Sequence, residues 1–350
     1  MFERSAPERH DSLPDIPEPS ENPMLVGHEE VRAMLAGAFR SGKMHHALLF
    51  AGARGIGKAT LGFHLARHLF DHPDGAASEA LGEADPSSRT FRLVAQDAHP
   101  GLLHLTRPQS DRDKKFKTVI TVDEVRRVSR FLSMTPPDGG PRFVIVDPVD
   151  DMNINAANAL LKNLEEPPAN TTFILIAHSL GRLLPTIRSR CQVFKFQPLS
   201  AALLKELLVQ LGVELPTSDE KRALLMERAG GSARSAILMT QFGGLEIAKA
   251  MDEITSRRVL DVFECHRLGE AVAARDRQVQ FDLFNNSVLD RLSGAAVGAA
   301  QEGAMGRAAH LSELWEGLRE TIAQAEIYNL DRKQHVVGLM ARLHNALHER

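Results

Sequence analysis

Short apolar runs alternate with stretches of helical periodicity over the first part of the chain, from Pro23 to about Pro198. This alternation predicts β-α-β units and a mainly parallel sheet. The runs are continuously apolar, as is typical of strands that are covered on both faces. The clearest predicted strands are Ala47–Phe50, Phe143–Val146, Thr172–Ile176 and Val193–Phe196.

Beyond Pro198 the strand pattern disappears. Residues 199–242 predict three short helices, and the amphipathic pattern from about Gly243 to Arg350 predicts a separate helical bundle. Residues 1–22 are rich in Pro, Glu, Asp and Ser, which predicts a flexible tail. The predicted fold is therefore α/β followed by all-α, with a tail (1–22), an α/β domain (23–198), a small helical domain (199–243) and a helical bundle (244–350).

Composition narrows the class of protein. The 350 residues leave room for two or three domains. The net charge of −3 gives no global attraction to nucleic acid or to an anionic membrane. The two cysteines, Cys191 and Cys265, exclude a disulfide scaffold and an all-cysteine zinc site, and they suit a reducing cytoplasm. No apolar segment approaches a signal peptide or a membrane span, so we expect a cytoplasmic location without membrane contact.

A phosphate-binding loop follows the first predicted strand. The spacing Gly-x4-Gly-Lys is complete, and a helical stretch through Phe70 comes next. Glycines let backbone N–H groups approach phosphates, the helix N-terminus favours negative charge, and a lysine adds a point charge. The predicted phosphate-binding residues are Gly52, Gly55, Gly57 and Lys58.

Two parts of a hydrolytic site are missing around this loop. Ala59 stands where a Ser or Thr hydroxyl would hold Mg²⁺, and Thr60 lies about 100° further round the helix. Asp147 ends a predicted buried strand and is placed to face Mg²⁺, but the next residue, Pro148, cannot accept a proton. The pattern predicts nucleotide binding at Gly52–Thr60 and Asp147 without efficient hydrolysis.

Three other polar groups have ordinary explanations. Thr121–Leu132 predicts a helix whose arginines, Arg126, Arg127 and Arg130, form a solvated face or, as the alternative, contact DNA phosphates or a neighbouring subunit. Lys114, Lys115 and Lys117 indicate a solvated loop. His64, His68 and His72 share a helix face, but no cysteine or acidic residue is in register with them, so we expect no metal site.

Further motifs follow Asp147 in a characteristic order. An amphipathic helix ends in Leu164-Glu-Glu-Pro-Pro168, and Ser189-Arg-Cys191 precedes the fourth predicted strand. With the phosphate loop, this order resembles the clamp-loader branch of the AAA+ ATPases, and more closely the alphaproteobacterial form of the bacterial DNA polymerase III clamp-loader subunits. The resemblance runs from about Leu25 to near the C-terminus, where Tyr328–Gln334 is also similar.

The resemblance implies that residues 23–198 form a AAA+ nucleotide-binding-fold domain, residues 199–243 a helical lid and residues 244–350 a helical collar. It also implies roles for several residues. Arg190 matches the arginine finger, which acts in trans on the nucleotide of the next subunit. Arg234 matches the second sensor, a lid arginine that contacts phosphate, with a surface salt bridge as the alternative. The first sensor falls at His178 or Ser179, and the sequence does not choose between them.

The departures from the family indicate a subunit that is not the motor. Motor subunits carry Ser or Thr after the loop lysine, Glu after the strand aspartate and a cysteine-rich zinc module after the first helix. Here the module's place, Asp71–Ser88, contains no cysteine and predicts an inserted loop. The resemblance then implies weak, non-hydrolysed ATP, Mg²⁺ only with that nucleotide, and no zinc. The implied partners are the motor (gamma/tau) and delta subunits in a hetero-pentameric ring, the sliding clamp, and primed DNA through the complex.

Two other functions are compatible with the phosphate loop. In a self-sufficient AAA+ motor, Thr60 and either Asp150 or Asp151 would replace the missing hydroxyl and carboxylate. A phosphate-loop kinase or transferase would need an acceptor pocket, and the lid, the Ser-Arg-Cys motif and the helical C-terminal third argue against it.

Overall fold

A computed structural model of the chain describes residues 4–72, 81, 84–110, 112, 114–134, 139–274, 276–328 and 330–349. The fold divides into two compact units. The first comprises Met1–Leu211 with Gly230–Arg234, and the second comprises Gly212–Ala229 with Ser235–Arg350. The predicted inserted loop, Asp71–Ser88, lies for the most part outside the described residues.

The first unit is built on a five-stranded sheet in which every pairing is parallel. Its strands are β1 (Ala47–Ala51), β2 (Leu102–Leu105), β3 (Arg142–Val146), β4 (Thr171–Ala177) and β5 (Gln192–Lys195). Their order across the sheet is β2-β3-β4-β1-β5. The predicted parallel sheet is confirmed, and β2, an edge strand of four residues, is an addition to the four clearest runs in the sequence.

Helices cover both faces of this sheet. The helices of the first unit are α1 (Glu29–Arg40), α2 (Lys58–Asp71), α3 (Arg89–Ala95), α4 (Val122–Ser133), α5 (Ile154–Glu165), α6 (Pro185–Arg188) and α7 (Ala201–Gln210). Along β1, Leu48 and Phe50 join an apolar cluster that includes α2, whereas Leu49 joins the opposite cluster with α4 and α5. Burial on both faces explains why the strand residues are apolar without alternation.

Helices are the only regular secondary structure among the described residues of the second unit. Its helices are α8 (Asp219–Ala229), α9 (Ala233–Gln241, whose first two residues belong to the first unit), α10 (Gly244–Ser256), α11 (Val262–Val272), α12 (Gln278–Gln301), α13 (Met305–Ile327) and α14 (Arg332–His348). Phe284, Leu292 and Leu339 lie in its apolar core. The predicted change from α/β to all-α is confirmed. No helix within the described residues is long and apolar enough to cross a membrane.

Residues 4–22, for which the sequence predicts a flexible tail, are folded into a compact segment that we call the N-terminal strap. The Arg4 guanidinium donates to the carbonyls of Leu13 and Ile16, at 2.5 and 3.0 Å. The Glu21 carboxylate accepts from the amides of Ser5 and Ala6, at 3.2 and 3.3 Å. Ordered ion pairs and hydrogen bonds of its polar side chains therefore give this polar segment a fixed conformation.

The C-terminal end of the strap is held by α2. The Arg67 guanidinium donates to the Ser20 carbonyl at 2.8 Å and lies 4.6 Å from the centre of the Phe91 ring. The His64 ring is bonded to the Asn22 carbonyl at 3.0 Å. His64 thus has a structural role, and no group of three or more His, Cys, Asp or Glu among the described residues is placed to hold a metal ion.

Candidate nucleotide site

The phosphate-binding loop connects the carboxyl end of β1 to the first turn of α2. Gly55 has a φ of +75°, and a Cβ there would lie 2.4 Å from Cβ of Arg234. A Cβ at Gly52 would lie 2.6 Å from the Phe196 carbonyl oxygen. Gly57 is the N-cap residue of α2. Close packing around the loop therefore requires glycine at residues 52 and 55.

Lys58 places a desolvated positive charge inside the loop. Its ammonium donates to the carbonyl oxygens of Gly52, at 2.8 Å, and Ala53. Burial lowers the pKa of Lys58 to about 8, although the carboxylates of Asp147 and Asp150 oppose this shift. A cation with so little water around it interacts strongly with an anion brought next to it. The loop and Lys58 therefore fit a phosphate group.

Asp147 lies at the end of β3, as the sequence predicts, and its amide donates to the Leu105 carbonyl at 2.9 Å. Burial and the nearby Asp11 charge raise the pKa of Asp147 to about 7, while Lys58 and Arg54 oppose the shift. The next residue, Pro148, follows a cis peptide bond. The site thus contains the strand carboxylate, without a proton acceptor directly after it.

We expect Asp147 to make the stability of the protein depend on pH. In the folded protein the Asp147 carboxyl group keeps its proton up to about pH 7, whereas in the unfolded chain it loses the proton at about pH 4. The folded state therefore binds more protons in this range, and its stability falls as pH rises. Relative to the wild type, Asp147→Asn should gain about 2 kcal/mol of unfolding free energy between about pH 5 and pH 7. Urea titrations at both pH values measure the gain, and a constant difference would contradict it.

Residue 59, where a hydroxyl would bind Mg²⁺, is an alanine that makes apolar contacts. Ala59 and Thr60 both lie in the first turn of α2. The Ala59 methyl group packs against the apolar cluster that includes Leu61 and Phe50. Residue 59 therefore contributes packing where the pattern of a hydrolytic loop requires a hydroxyl.

The two carboxylates after Pro148 are engaged within the protein. Asp150 accepts a hydrogen bond from the His178 amide at 3.1 Å. Asp151 accepts one from Nε of Arg107 at 2.6 Å. These contacts disfavour the hypothesis of a self-sufficient motor, in which Asp150 or Asp151 would activate water.

His178, one of the two candidates for the first sensor, directly follows β4. Burial lowers its pKa to about 2, with further lowering by the charges of Lys58 and Arg54. The ring is therefore neutral, and its Nδ1 is buried without a hydrogen-bond partner in the described part of the chain. Ser179 is exposed. Of the two candidates, His178 is therefore the one that the charges of the phosphate loop reach, since they lower its pKa.

Arg234 lies beside Gly55 of the phosphate loop, and its partner has no signal in the sequence. Its guanidinium donates to the Asp11 backbone carbonyl at 2.6 Å and lies 3.9 Å from the Asp11 carboxylate. The same carboxylate is 2.8 Å from Nη2 of Arg54, in the phosphate loop. The sequence gives no sign of these contacts, because Asp11 lies 43 positions from Arg54 and 223 positions from Arg234.

Arg190 follows α6 and makes its contacts with α5 and α6. Nη2 lies 2.6 Å from the Glu165 carboxylate, and Nη1 donates to the Thr186 carbonyl at 2.9 Å. The side chain retains 36% of its exposure. The guanidinium is thus held at a partly exposed position by the last residue of α5, and a planar fork of this kind suits a phosphate or carboxylate on another molecule.

The arginines of α4 form ion pairs along their own helix. Arg126 pairs with Asp123 at 2.6 Å and Arg127 pairs with Glu124 at 2.5 Å. Arg130 is exposed. The arginines of α4 therefore form a solvated face in this chain.

Sheet order and site together define the class of protein. The phosphate loop leaves a strand that lies between β4 and β5, Asp147 ends β3, and His178 follows β4. Because all strands are parallel, these groups meet at the carboxyl edge of the sheet, where open α/β folds bind ligands. This is a phosphate-loop fold with a parallel sheet, followed by helices.

Residues 27–200, just under half of the chain, match the family model described as "DNA polymerase III, delta subunit". The chain is 39% identical over 192 residues to DNA polymerase III subunit delta' of Pseudomonas aeruginosa, covering 55% of this chain and 54% of that one. It is 32% identical over 208 residues to the delta' subunit of Escherichia coli, covering 59% and 58%. The chain is therefore similar to the delta' subunits of DNA polymerase III over about half of its length.

Related subunits show lower identity. DNA polymerase III subunit tau of Salmonella typhimurium is 29% identical over 271 residues, covering 75% of this chain and 40% of that protein. A solved structure of a gamma subunit-related protein from Thermotoga maritima covers 89% of this chain and 99% of that one, at 17% identity and a TM-score of 0.37. The chain spans about half the length of the curated delta' relatives it matches.

Proposed function

We propose that this chain is the delta-prime subunit of a bacterial clamp loader, which helps to place the sliding clamp on primed DNA during chromosome replication. The observation that carries this proposal is the set of delta' relatives at 32–39% identity. The family model supports it, because the matched residues 27–200 include the phosphate loop and Arg190. The proposed setting is the cytoplasmic replisome. Polymerase chemistry belongs to another subunit.

Within that complex the chain is proposed to bind nucleotide weakly and not to hydrolyse it. Gly52, Gly55, Gly57 and Lys58 would hold the phosphates, and Asp147 would face Mg²⁺ bound with the nucleotide. Ala59 supplies no hydroxyl to the ion, and Pro148 cannot orient or deprotonate water. We propose no zinc ion in this chain.

The functional group that the chain is proposed to supply is Arg190, an arginine finger in trans. Its partly exposed guanidinium supports this role, because such a finger stabilises phosphate charge on the neighbouring subunit and needs no hydrolytic site in its own chain. Arg234 would act as the second sensor. Residues 199–243 would form the lid, and residues 244–350 the collar that joins motor (gamma/tau) and delta subunits in a hetero-pentameric ring.

The isolated chain is expected to have almost no ATPase activity. With neither a hydroxyl at residue 59 nor an acceptor at residue 148, turnover should lie below about 0.01 s⁻¹, against roughly 1–10³ s⁻¹ for typical enzymes. Phosphate release by the purified full chain measures it, with Lys58→Ala as the control for contaminating ATPases. Turnover of several per second that disappears in Lys58→Ala would contradict the proposal and favour a self-sufficient motor.

The proposed role itself is tested by clamp loading. Purified motor and delta subunits, sliding clamp and primed circular DNA are mixed with or without this chain, and DNA-bound clamp is measured. We expect efficient loading only when the chain is present. Equal loading in its absence would contradict the role.

A further inference from the structure

The tip of the N-terminal strap, His10 and Asp11, lies on the candidate nucleotide site. The Asp11 carboxylate is 2.8 Å from Nη2 of Arg54, a residue of the phosphate loop. The Arg234 guanidinium donates to the Asp11 backbone carbonyl at 2.6 Å. Next to it, the buried His10 ring lies 3.2 Å from the Thr106 hydroxyl, one residue beyond β2. The strap therefore contacts the phosphate loop, the edge of the sheet and the start of α9.

The tip is held in place by contacts on both sides. Arg9 forms an ion pair with Asp97 at 2.7 Å. The Ser12 hydroxyl donates to the Glu18 carboxylate at 2.5 Å, and Leu13 is buried. With the bonds of Arg4 and Glu21 and the anchoring by α2, these contacts present Asp11 from a preformed segment. The position of Asp11 follows from the fold of the strap.

Asp11 acts on the site as an anion. Although burial opposes its ionisation, the charges of Arg54 and Arg234 keep the pKa of Asp11 well below the ordinary range. In turn, its charge contributes to the raised pKa of Asp147. Guanidinium groups bind carboxylates and phosphates through the same charge-assisted hydrogen bonds. A carboxylate on Arg54 and Arg234 thus satisfies cations that a bound phosphate would otherwise contact.

We propose that the N-terminal strap is an intramolecular competitor of nucleotide: the Asp11 carboxylate occupies Arg54 and Arg234 in place of the phosphates of a nucleoside triphosphate. Binding of the nucleotide then requires the strap tip to leave. The measured dissociation constant is the intrinsic one divided by the fraction of molecules with the tip released. This inference rests on the nucleotide binding proposed for this site, but it does not depend on the chain's assembly into a clamp loader.

Asp11→Asn tests the competition. The substitution removes the charge while preserving the size of the side chain, so the tip should hold Arg54 and Arg234 less firmly. We expect the full-length variant to bind ATP labelled with a methylanthraniloyl fluorophore, in the presence of Mg²⁺, at least about tenfold more tightly than the wild type, which corresponds to a tip released in about a tenth or less of wild-type molecules. Fluorescence anisotropy measures both dissociation constants.

Asp15→Asn is the matched control, because Asp15 is an exposed residue of the same strap and its loss should leave affinity within about twofold of the wild type. Asp97→Asn is a second variant that removes the Arg9 anchor without changing the tip, and it should also tighten binding. The proposal is overturned if Asp11→Asn and Asp97→Asn bind the labelled ATP no more tightly than the wild type. It is also overturned if neither variant binds it at millimolar concentration.

Discussion

Replacing Arg190 with alanine should leave the clamp-loader ring assembled while removing ATP hydrolysis at the one site that this arginine faces. The expected loss at that site is about 10³-fold, since an arginine finger contributes 10³–10⁵ to turnover. Arg190 contacts Glu165 and Thr186 at the surface of its own chain, so its removal leaves no buried group unpaired. The measurement is DNA-stimulated ATPase of the reconstituted ring, together with gel filtration to verify assembly.

Two variants control this experiment. Arg188, on α6, is exposed, and Arg188→Ala should retain full activity. Arg190→Lys keeps a positive charge but loses the planar fork, so it should restore little hydrolysis. ATPase of the Arg190→Ala ring equal to that of the wild-type ring would disprove the role of Arg190 as the finger.

Replacing Phe173 with alanine should produce the largest loss of stability among these predictions. Phe173 lies in β4, opposite Ala47 of β1 and Val144 of β3, and its side chain is fully buried in the cluster beneath α4 and α5. Truncation of such a side chain leaves a cavity and costs about 3–5 kcal/mol. For a unit of this size, the unfolding temperature should fall by roughly 6–20 °C, as measured by calorimetry of the full chain.

Phe263→Ala provides the same substitution at an exposed position, because Phe263 retains 74% of its exposure. Its effect should stay within about 0.5 kcal/mol. Equal shifts for the two variants would show that Phe173 does not occupy the core of the sheet.

The α/β part of the fold could be predicted because burial on both faces produces unbroken apolar runs. The runs at Phe143–Val146 and Thr172–Ile176 become β3 and β4 with boundaries changed by a residue or so at either end. The helix at Thr121–Leu132 was equally clear, since Val125, Val128 and Leu132 recur on one face and are all buried. In contrast, β2 has only four residues, and its His104 interrupts the apolar run.

The N-terminal strap could not be predicted from its composition. A segment rich in Pro, Glu, Asp and Ser has too little apolar surface to fold by itself, so a flexible tail is the ordinary expectation. Here Arg4, Glu18 and Glu21 bond within the segment, and Arg67 holds its end. Such pairings depend on which polar groups the fold brings together, and a single sequence gives no signal for them.

The candidate site likewise has parts that the sequence predicts and parts that it does not. The glycine-lysine spacing and Asp147 were predictable because motif and strand end have local signatures. Arg234 was assigned through the resemblance to the clamp-loader family, and its contact with Asp11 has no local signature. The proposed roles of Arg190 and Arg234 stay predictions until the variants are measured.

The central claim is tested most directly by purifying the tagged full-length chain from the cells that produce it and identifying what remains bound by mass spectrometry. The account predicts recovery of the clamp-loader motor and the delta subunit in near-stoichiometric amounts. Recovery of the chain alone, or with partners that have no part in DNA replication, would contradict it.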